Sequence, residues 1–355
     1  MNIKIEEVLK YAVDHKASDI HLVSDVAPKI RVDGELLDVI GFEKTTNEDI
    51  SEMVLSLLNE RQSKVFKETK ELDFSFEAVG VRFRANVYLQ KDAPSCALRL
   101  ISSNIPSFEE LGIPNILKDF AKYKQGFVLV TGPTGHGKST TVAAILEEIN
   151  KNIGGHIVTI EDPVEYLIKP EKSIISQREM GSDTNSFDLA LRSCLRQDPN
   201  VVFVGEMRDL ESVSSALTIA ETGHLVFSVL HTNSAAQTID RIVDIFPTES
   251  KDQVRVQLAT VITAIVSQRL VPAIDGGRVP IFEILIATPA VRNVIREGKT
   301  FMIDNIIQTS SDIGMISFDA YLAKMVLDGK VSEETAMTYA TNAIELQGKL
   351  GRQRI

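Results

Sequence analysis

Cysteine is almost missing from this 355-residue chain: Cys96 and Cys194 are the whole supply. Two thiols leave no four-cysteine zinc site within one chain, and they fit a reducing compartment. Long apolar runs are missing as well. No window approaches the ~18 consecutive apolar residues of a spanning helix. The opening MNIKIEEVLKYAVDHKAS has neither the apolar stretch nor the small-residue cleavage site of a signal peptide. Positive charge is in the minority, with 38 Lys and Arg against 49 Asp and Glu and a formal net charge of −11. That balance argues against a general affinity for nucleic acid or anionic lipid, a local basic patch aside. Short-period repeats and low-complexity tracts are not seen. The expectation is a cytoplasmic protein without direct membrane insertion, which would reach a membrane by docking onto a partner.

Apolar residues make up 44% of the chain, enough for real cores, and the length suggests two domains. Residues 3–16 carry Ile5, Val8, Leu9, Ala12 and Val13 at helical spacing. IHLV and KIRVDGELLDV read as strands, with Asp33-Gly34 as a tight turn. A second helix is expected to start near Asn47 as its cap and to bury Ile50, Val54 and Leu57. LDFSFEA and VRFRANVYL alternate strictly, so Phe83, Ala85 and Val87 share one face and Arg82, Arg84 and Asn86 the other. CALRLI closes the set. Residues 1–100 are thus expected to form a small α/β domain with a largely antiparallel sheet.

SSNIPSFEELGIP has the composition of a linker, placed at 101–116. Beyond it, GFVLVTG, HIVTIED, NVVFVGE and HLVFSVLHT are short apolar runs separated by helical stretches. Strands buried on both faces read this way, which implies a doubly wound α/β core over 117–355. From about residue 285 the pattern is mostly helical.

GPTGHGKSTT, residues 132–141, follows the apolar FVLV and runs into TTVAAILEEI. It fills G-x-x-x-x-G-K-S with Gly132, Gly137, Lys138 and Ser139, and Pro133, Thr134, Gly135, His136 and Thr140 complete the loop. Glycines let consecutive N–H groups turn inward around phosphate oxygens, and the helix N-terminus adds its dipole. Lys138 is expected to reach the β- and γ-phosphates of ATP and Ser139 to hold Mg²⁺. His136 occupies a variable position and is read as a solvated side chain whose contribution is its backbone. Acids past two strand ends, Glu161, Asp162 and Glu165 after one and Glu206 after the other, stand where open α/β sheets bind ligands. His224 and His231 bracket a further apolar strand.

GPTGHGKSTT, TIEDPVEY, GEMRDLES and ETGHLVFSVLHTNSA together resemble the Walker A, Asp box, Walker B and His box of the secretion ATPases that power type II secretion and type IV pili. In GEMRD a glycine stands where the usual Walker B aspartate would be, as in that family. ASDIHLVSDVAPKIRVDGEL resembles the family's PAS-like N-terminal domain, which implies a PAS-like α/β domain followed by a RecA-like P-loop ATPase core with C-terminal helices. Within the family the retraction ATPases of twitching motility are most similar. The length leaves no room for the extra docking domain of extension and secretion ATPases, their four-cysteine zinc motif is absent, and TPAVRNVIREG resembles the retraction signature. By its own residues that segment is a helix capped by Thr288, with Pro289 in its first turn, Gly298 as its stop, Val291, Val294 and Ile295 inward, and Arg292 with Arg296 on an exposed face.

The resemblance implies roles by position: Glu165 as general base, Glu206 supporting the Mg²⁺ shell, and His224 and His231 reporting the state of the γ-phosphate. It also implies that Arg84 and Arg99 approach nucleotide. His136 stands where the family usually has serine. The resemblance implies a homo-hexamer that closes by rotation about 101–116 and turns an inner-membrane pilus platform protein, without a nucleic-acid partner. An assembly or type II secretion ATPase, a weakly hydrolysing regulatory ring and a nucleic-acid motor are the alternatives.

Overall fold

Strict alternation in the first hundred residues becomes a six-stranded sheet in the computed structural model, which describes residues 3–101 and 104–352. The chain divides into two units, one of 1–104 with 165–167 and the other of 105–164 with 168–355. The first contains α1 (Ile3–Asp14), β1 (Asp19–Leu22), β2 (Lys29–Val32), β3 (Glu35–Asp38), α2 (Asn47–Leu55), α3 (Glu60–Thr69), β4 (Glu71–Ala78), β5 (Val81–Gln90) and β6 (Ala93–Ile101). Its strands lie in the order β3-β2-β1-β6-β5-β4, and every neighbouring pair is antiparallel.

Asp33 and Gly34 both have positive φ and join Val32 to its partner Glu35, the two-residue hairpin expected of that pair. Phe83, Ala85 and Val87 are buried against Ile5, Val8, Leu9 and Ile50. The cap of α2 is Thr46 rather than Asn47: its hydroxyl accepts the Asp49 N–H, and the Asp49 carboxylate accepts the Thr46 N–H. Ile50 and Val54 are buried as expected, and Leu57, beyond the helix, is partly buried. Helix α3 was not foreseen, because Phe66 is its one buried residue; its start is marked only by the Asn59–Gln62 capping box.

The second unit holds α4 (Phe108–Leu111), α5 (Ile116–Phe120), β7 (Gly126–Thr131), α6 (Lys138–Asn152), β8 (Gly155–Glu161), β9 (Ser173–Glu179), α7 (Phe187–Cys194) and β10 (Val201–Val204). It continues through α8 (Leu210–Glu221), β11 (Leu225–Leu230), α9 (Ala235–Asp244), α10 (Lys251–Val261), β12 (Ile262–Pro272) and β13 (Arg278–Ile286). Helices α11 (Pro289–Arg296), α12 (Ile303–Thr309), α13 (Phe318–Leu327), α14 (Glu333–Tyr339) and α15 (Ala343–Arg352) complete it. The sheet order is β13-β12-β7-β11-β10-β8-β9, parallel except for the β12–β13 hairpin.

Strands β7, β10 and β11 are buried along their whole length, because helices cover both faces. Val128 and Val130 pack into a layer with α5, α6 and α13 to α15, while Phe127 and Leu129 pack into the layer of α7 to α12. Among the described residues no helix is long and apolar enough to cross a membrane.

Two expectations need correction. Most of the 101–116 segment is not free linker: Ser107 and Glu110 form a capping box that starts α4, and Phe108 and Ile113 are buried in the second unit's core. Residues 102 and 103 of that segment lie outside the described residues. Arg292 does not share an exposed face with Arg296. It is half-buried and donates to the Ala259 and Thr260 carbonyls at 2.6 and 2.5 Å, supplying partners that the last turn of α10 cannot find within its own helix. The rest of that helix is as expected, with Thr288 capping and Val291, Val294 and Ile295 buried.

Candidate functional site

The loop between β7 and α6 is shaped by three glycines of positive φ, Gly132 (142°), Gly135 (76°) and Gly137 (78°). At Gly132 the reason is close approach as well as angle: a Cβ there would stand 2.1 Å from the Gln268 carbonyl oxygen. Lys138 opens α6 almost buried, and its Nζ donates to the Pro133 carbonyl at 2.8 Å. Ser139 and Thr140 follow, half-buried, in the helix's first turn.

Strand β12 holds the loop in this shape. Gln268 Nε2 donates to the His136 carbonyl at 2.8 Å, and Gln268 Oε1 accepts from Thr141 Oγ1 at 2.6 Å. His136 is consequently not the solvated bystander expected from its position. It is half-buried, and its Nδ1 accepts the Leu270 N–H at 2.9 Å. Leu270 lies past Ser267, the last residue of β12 paired with β7, so its N–H takes an imidazole acceptor instead of a strand carbonyl. Burial first, then the charges of Arg278, Lys138 and Arg269, hold the imidazole below its ordinary range, which keeps the accepting nitrogen unprotonated.

Beside the loop stand the ends of β10 and β11. Glu206, just past β10, lies between Arg208 Nη2 at 2.8 Å and His231 Nε2 at 3.1 Å. The hydrogen bond from Arg208, working against partial burial, keeps this carboxyl below the usual carboxylate range. With Nε2 donating to Glu206, the other nitrogen of His231 is an acceptor, 3.2 Å from Thr134 Oγ1 and 3.4 Å from Lys138 Nζ. One imidazole thus touches the acid past β10, the loop hydroxyl and the loop lysine.

His224 is not brought to this cluster. It precedes β11, whereas His231 follows it, and six strand residues separate them by roughly 20 Å. Its Nδ1 lies instead 3.1 Å from both Thr222 Oγ1 and the Ile219 carbonyl. Because β11 runs parallel to β7, its entry end is remote from the loop that β7 feeds.

Glu161 ends β8, 6% exposed, and accepts from Thr159 Oγ1 at 2.7 Å, while Asp162 is exposed. Gly205 packs against it: a Cβ there would stand 3.1 Å from the Glu161 Cα, which gives a steric reason for glycine before Glu206.

Glu165 belongs to the short 165–167 segment of the first unit and is exposed. Arg84 and Arg99 are direct cross-strand partners on the exposed face of β5 and β6. Arg99 Nε bonds Asp19 Oδ1 at 2.9 Å, and Arg84 makes no ion pair among the described residues.

Ser267, Gln268 and Glu283 were missed. Their signal was a polar residue inside an otherwise apolar run, which in a buried strand demands a partner. Glu283 is 9% exposed; its Oε1 accepts the Ala235 N–H at 2.7 Å and the Ser267 hydroxyl at 3.4 Å. Burial pushes this carboxyl up from its ordinary 4.5 to about 7. The folded protein therefore holds a proton there that the unfolded chain releases near its lower pKa. The associated stability is complete in acid and is lost as pH rises through neutrality. Between about pH 5 and 8, wild type should lose on the order of 2–3 kcal/mol more than Glu283→Gln in urea unfolding. Parallel curves for the two proteins would refute this.

Among the described residues no group of three or more His, Cys, Asp or Glu could hold a metal ion. Mg²⁺ bound with phosphate does not need such a cage, since it takes one or two protein oxygens and fills the rest with phosphate and water. The Ser139 hydroxyl and the ionised Glu206 are a donor set of that kind, and the glycine loop ahead of α6 fits a nucleotide's phosphates.

The family model for type II/IV secretion system proteins matches residues 1–277. The type IV pilus retraction ATPase PilT of Pseudomonas aeruginosa is 46% identical over 333 residues, covering 94% of this chain and 96% of that protein. A twitching motility protein of Neisseria gonorrhoeae is 47% identical over 318 residues, 89% of this chain and 85% of its own length. A crystal structure described as the pilus retraction motor PilT with bound ADP superposes with a TM-score of 0.91 at 45% identity, covering 98% of this chain and 100% of that one.

Proposed function

Because the chain belongs to the type II/IV secretion system protein family, we propose that it works as a homo-hexameric ring whose ATP-driven closure pulls pilins out of a fibre. It is an ATP hydrolase of the RecA-like P-loop class and a type IV pilus retraction ATPase of twitching motility. The observation that carries the mechanism is the meeting of Glu206, His231, Thr134 and Lys138 beside the glycine loop.

In this reading the loop's N–H groups and Lys138 grip the β- and γ-phosphates, with Ser139 and water held by Glu206 around Mg²⁺. Bound Mg²⁺ supplies positive charge against the phosphate oxygens. Glu165 takes the proton of the attacking water. Cleavage changes the charge beside Lys138 and Thr134, and His231, which touches both, passes the change to Glu206 and the loop that opens α9. Arg84 and Arg99 complete the site of an adjacent subunit, so nucleotide tightens the joint between copies. The ring is proposed to dock on an inner-membrane pilus platform protein at the cytoplasmic face.

Deleting the gene tests the direction of force. Cells that lose retraction keep surface pili but cease to twitch, and wild type restores movement while Lys138→Ala does not. Loss of the pili themselves would point to assembly and overturn this reading.

A further inference from the structure

The loop that carries His231 is only four residues long, 231–234, and both of its ends return to Thr131. Upstream, Leu230 pairs with Thr131 across β11 and β7. Downstream, the Ala235 N–H is bound by Glu283 at 2.7 Å, Glu283 meets the Ser267 hydroxyl at 3.4 Å, and Ser267 meets Thr131 Oγ1 at 3.1 Å. Thr131 is the residue immediately before Gly132. Each member of this track is buried.

A carboxyl is an expensive way to fill this position. Its neighbours in PIFEILI are apolar, and Ile281, Phe282, Ile284 and Leu285 are buried. Leucine would pack there without the cost of burying a polar group. What leucine cannot do is accept the first N–H of α9, at the positive end of that helix. The charged groups facing Glu283 are Arg269 from β12, which favours the carboxylate, and Asp304 from α12, which opposes it. Of the loop's other contacts, Thr232 to Thr238 at 2.7 Å and Asn233 N to Gln237 at 3.3 Å are local, and in an exposed bond Arg269 of β12 donates to the Asn233 carbonyl at 3.4 Å. The local pair folds the loop onto α9 but does not tie α9 to β7. Glu283 carries the buried link, from the Ala235 N–H through Ser267 to Thr131 at the end of β7.

We propose that Glu283 is a positioning residue for hydrolysis, fixing the start of α9 so that His231 stays between Glu206 and the phosphate loop. This rests on the reading of that loop as the ATP site with His231 as its relay. Glu283 touches no substrate; it acts on the geometry of His231.

The experiment compares wild type, Glu283→Gln, Glu283→Leu, His231→Ala and the double variant His231→Ala/Glu283→Leu as full-length protein. The readouts are steady-state ATPase with Mg²⁺, ADP affinity and thermal unfolding. Glu283→Leu should lower kcat about tenfold, as expected for a group displaced by part of an ångström. KM and ADP affinity should stay within about twofold, because the phosphate cradle is untouched. Gln keeps an acceptor for Ala235 and should restore kcat to within about threefold of wild type. In the His231→Ala background, adding Glu283→Leu should cost nothing further.

Equal fractional losses in both backgrounds would show that Glu283 does not act through His231, and would overturn the proposal while leaving the ATP site intact. So would wild-type kcat in a folded Glu283→Leu, or a loss of ADP affinity that parallels kcat. If His231→Ala alone retains wild-type kcat, the relay reading falls and this proposal with it. The Gln variant guards against misfolding, since removing the buried charge should leave it at least as stable as wild type at alkaline pH.

Discussion

Gly132→Ala is expected to abolish nucleotide binding and to lower stability by more than about 3 kcal/mol, from two costs that add. The residue's φ of 142° lies where L side chains are rarely found, and the new Cβ would stand 2.1 Å from the Gln268 carbonyl oxygen. That oxygen cannot swing aside as a side chain would, because it belongs to the backbone of β12, which pairs with β7 on one side and β13 on the other. The clash is relieved only by parting β12 from the loop. Parting them also breaks Gln268 to His136, Gln268 to Thr141 and His136 to Leu270. Gly135→Ala is the control. Its φ of 76° is also positive, but a Cβ there meets nothing within 4 Å, so the cost should be about 1–2 kcal/mol of backbone strain alone. Urea unfolding and ADP titration of the two variants read both effects. Equal destabilisation by the two alanines would mean that β12 does not set the loop's shape.

That clasp also marks the limit of what is legible in the sequence. The glycine loop was legible because its whole logic is local: an apolar strand, a turn that needs glycine, and a helix whose first N–H groups are unpaired. Alternation at Phe83, Ala85 and Val87 was legible for the same reason, as were the continuous runs of β7, β10 and β11, since burial on one face or two leaves a period in a short window. Partners from distant segments leave none. Gln268 stands 132 positions from His136, and Ser267 stands 136 from Thr131. Nothing near His136 in the chain announces that Leu270 will need an acceptor, so its local sequence points the imidazole to solvent. The two histidines around β11 failed in a different way. Bracketing a strand looks like cooperation in one dimension, but a parallel strand carries its two ends to opposite edges of the sheet, and one histidine alone can be at the loop. Glu283 was hidden by its surroundings, a single acid in PIFEILI whose partner is the first N–H of a helix 48 positions upstream.

Arg84→Ala is expected to reduce kcat about 10³-fold with little change in ADP affinity, the loss typical of an arginine that meets transition-state charge. Arg99→Ala should lose less. Both side chains stand on one exposed face as cross-strand partners, but they are differently committed. Arg99 is bonded by the Asp19 carboxylate at 2.9 Å, and Asp19 is its cross-strand partner on the other side. To meet a phosphate, Arg99 must share or leave that bond, which offsets part of what it contributes. Arg84 makes no ion pair among the described residues and gives up nothing. Arg84→Lys separates charge from shape: it keeps the charge but not the planar fork of donors, so its rate should fall between wild type and alanine. Mixed rings then decide from which subunit the arginine comes. Arg84→Ala and Lys138→Ala subunits are each impaired alone, but side by side they pair an intact arginine with an intact phosphate loop. Activity above both parents after mixing is the result expected of an arginine supplied by the neighbour. Wild-type turnover by an assembled Arg84→Ala/Arg99→Ala ring would remove these arginines from the chemistry, and the nucleotide-tightened joint would lose its physical basis.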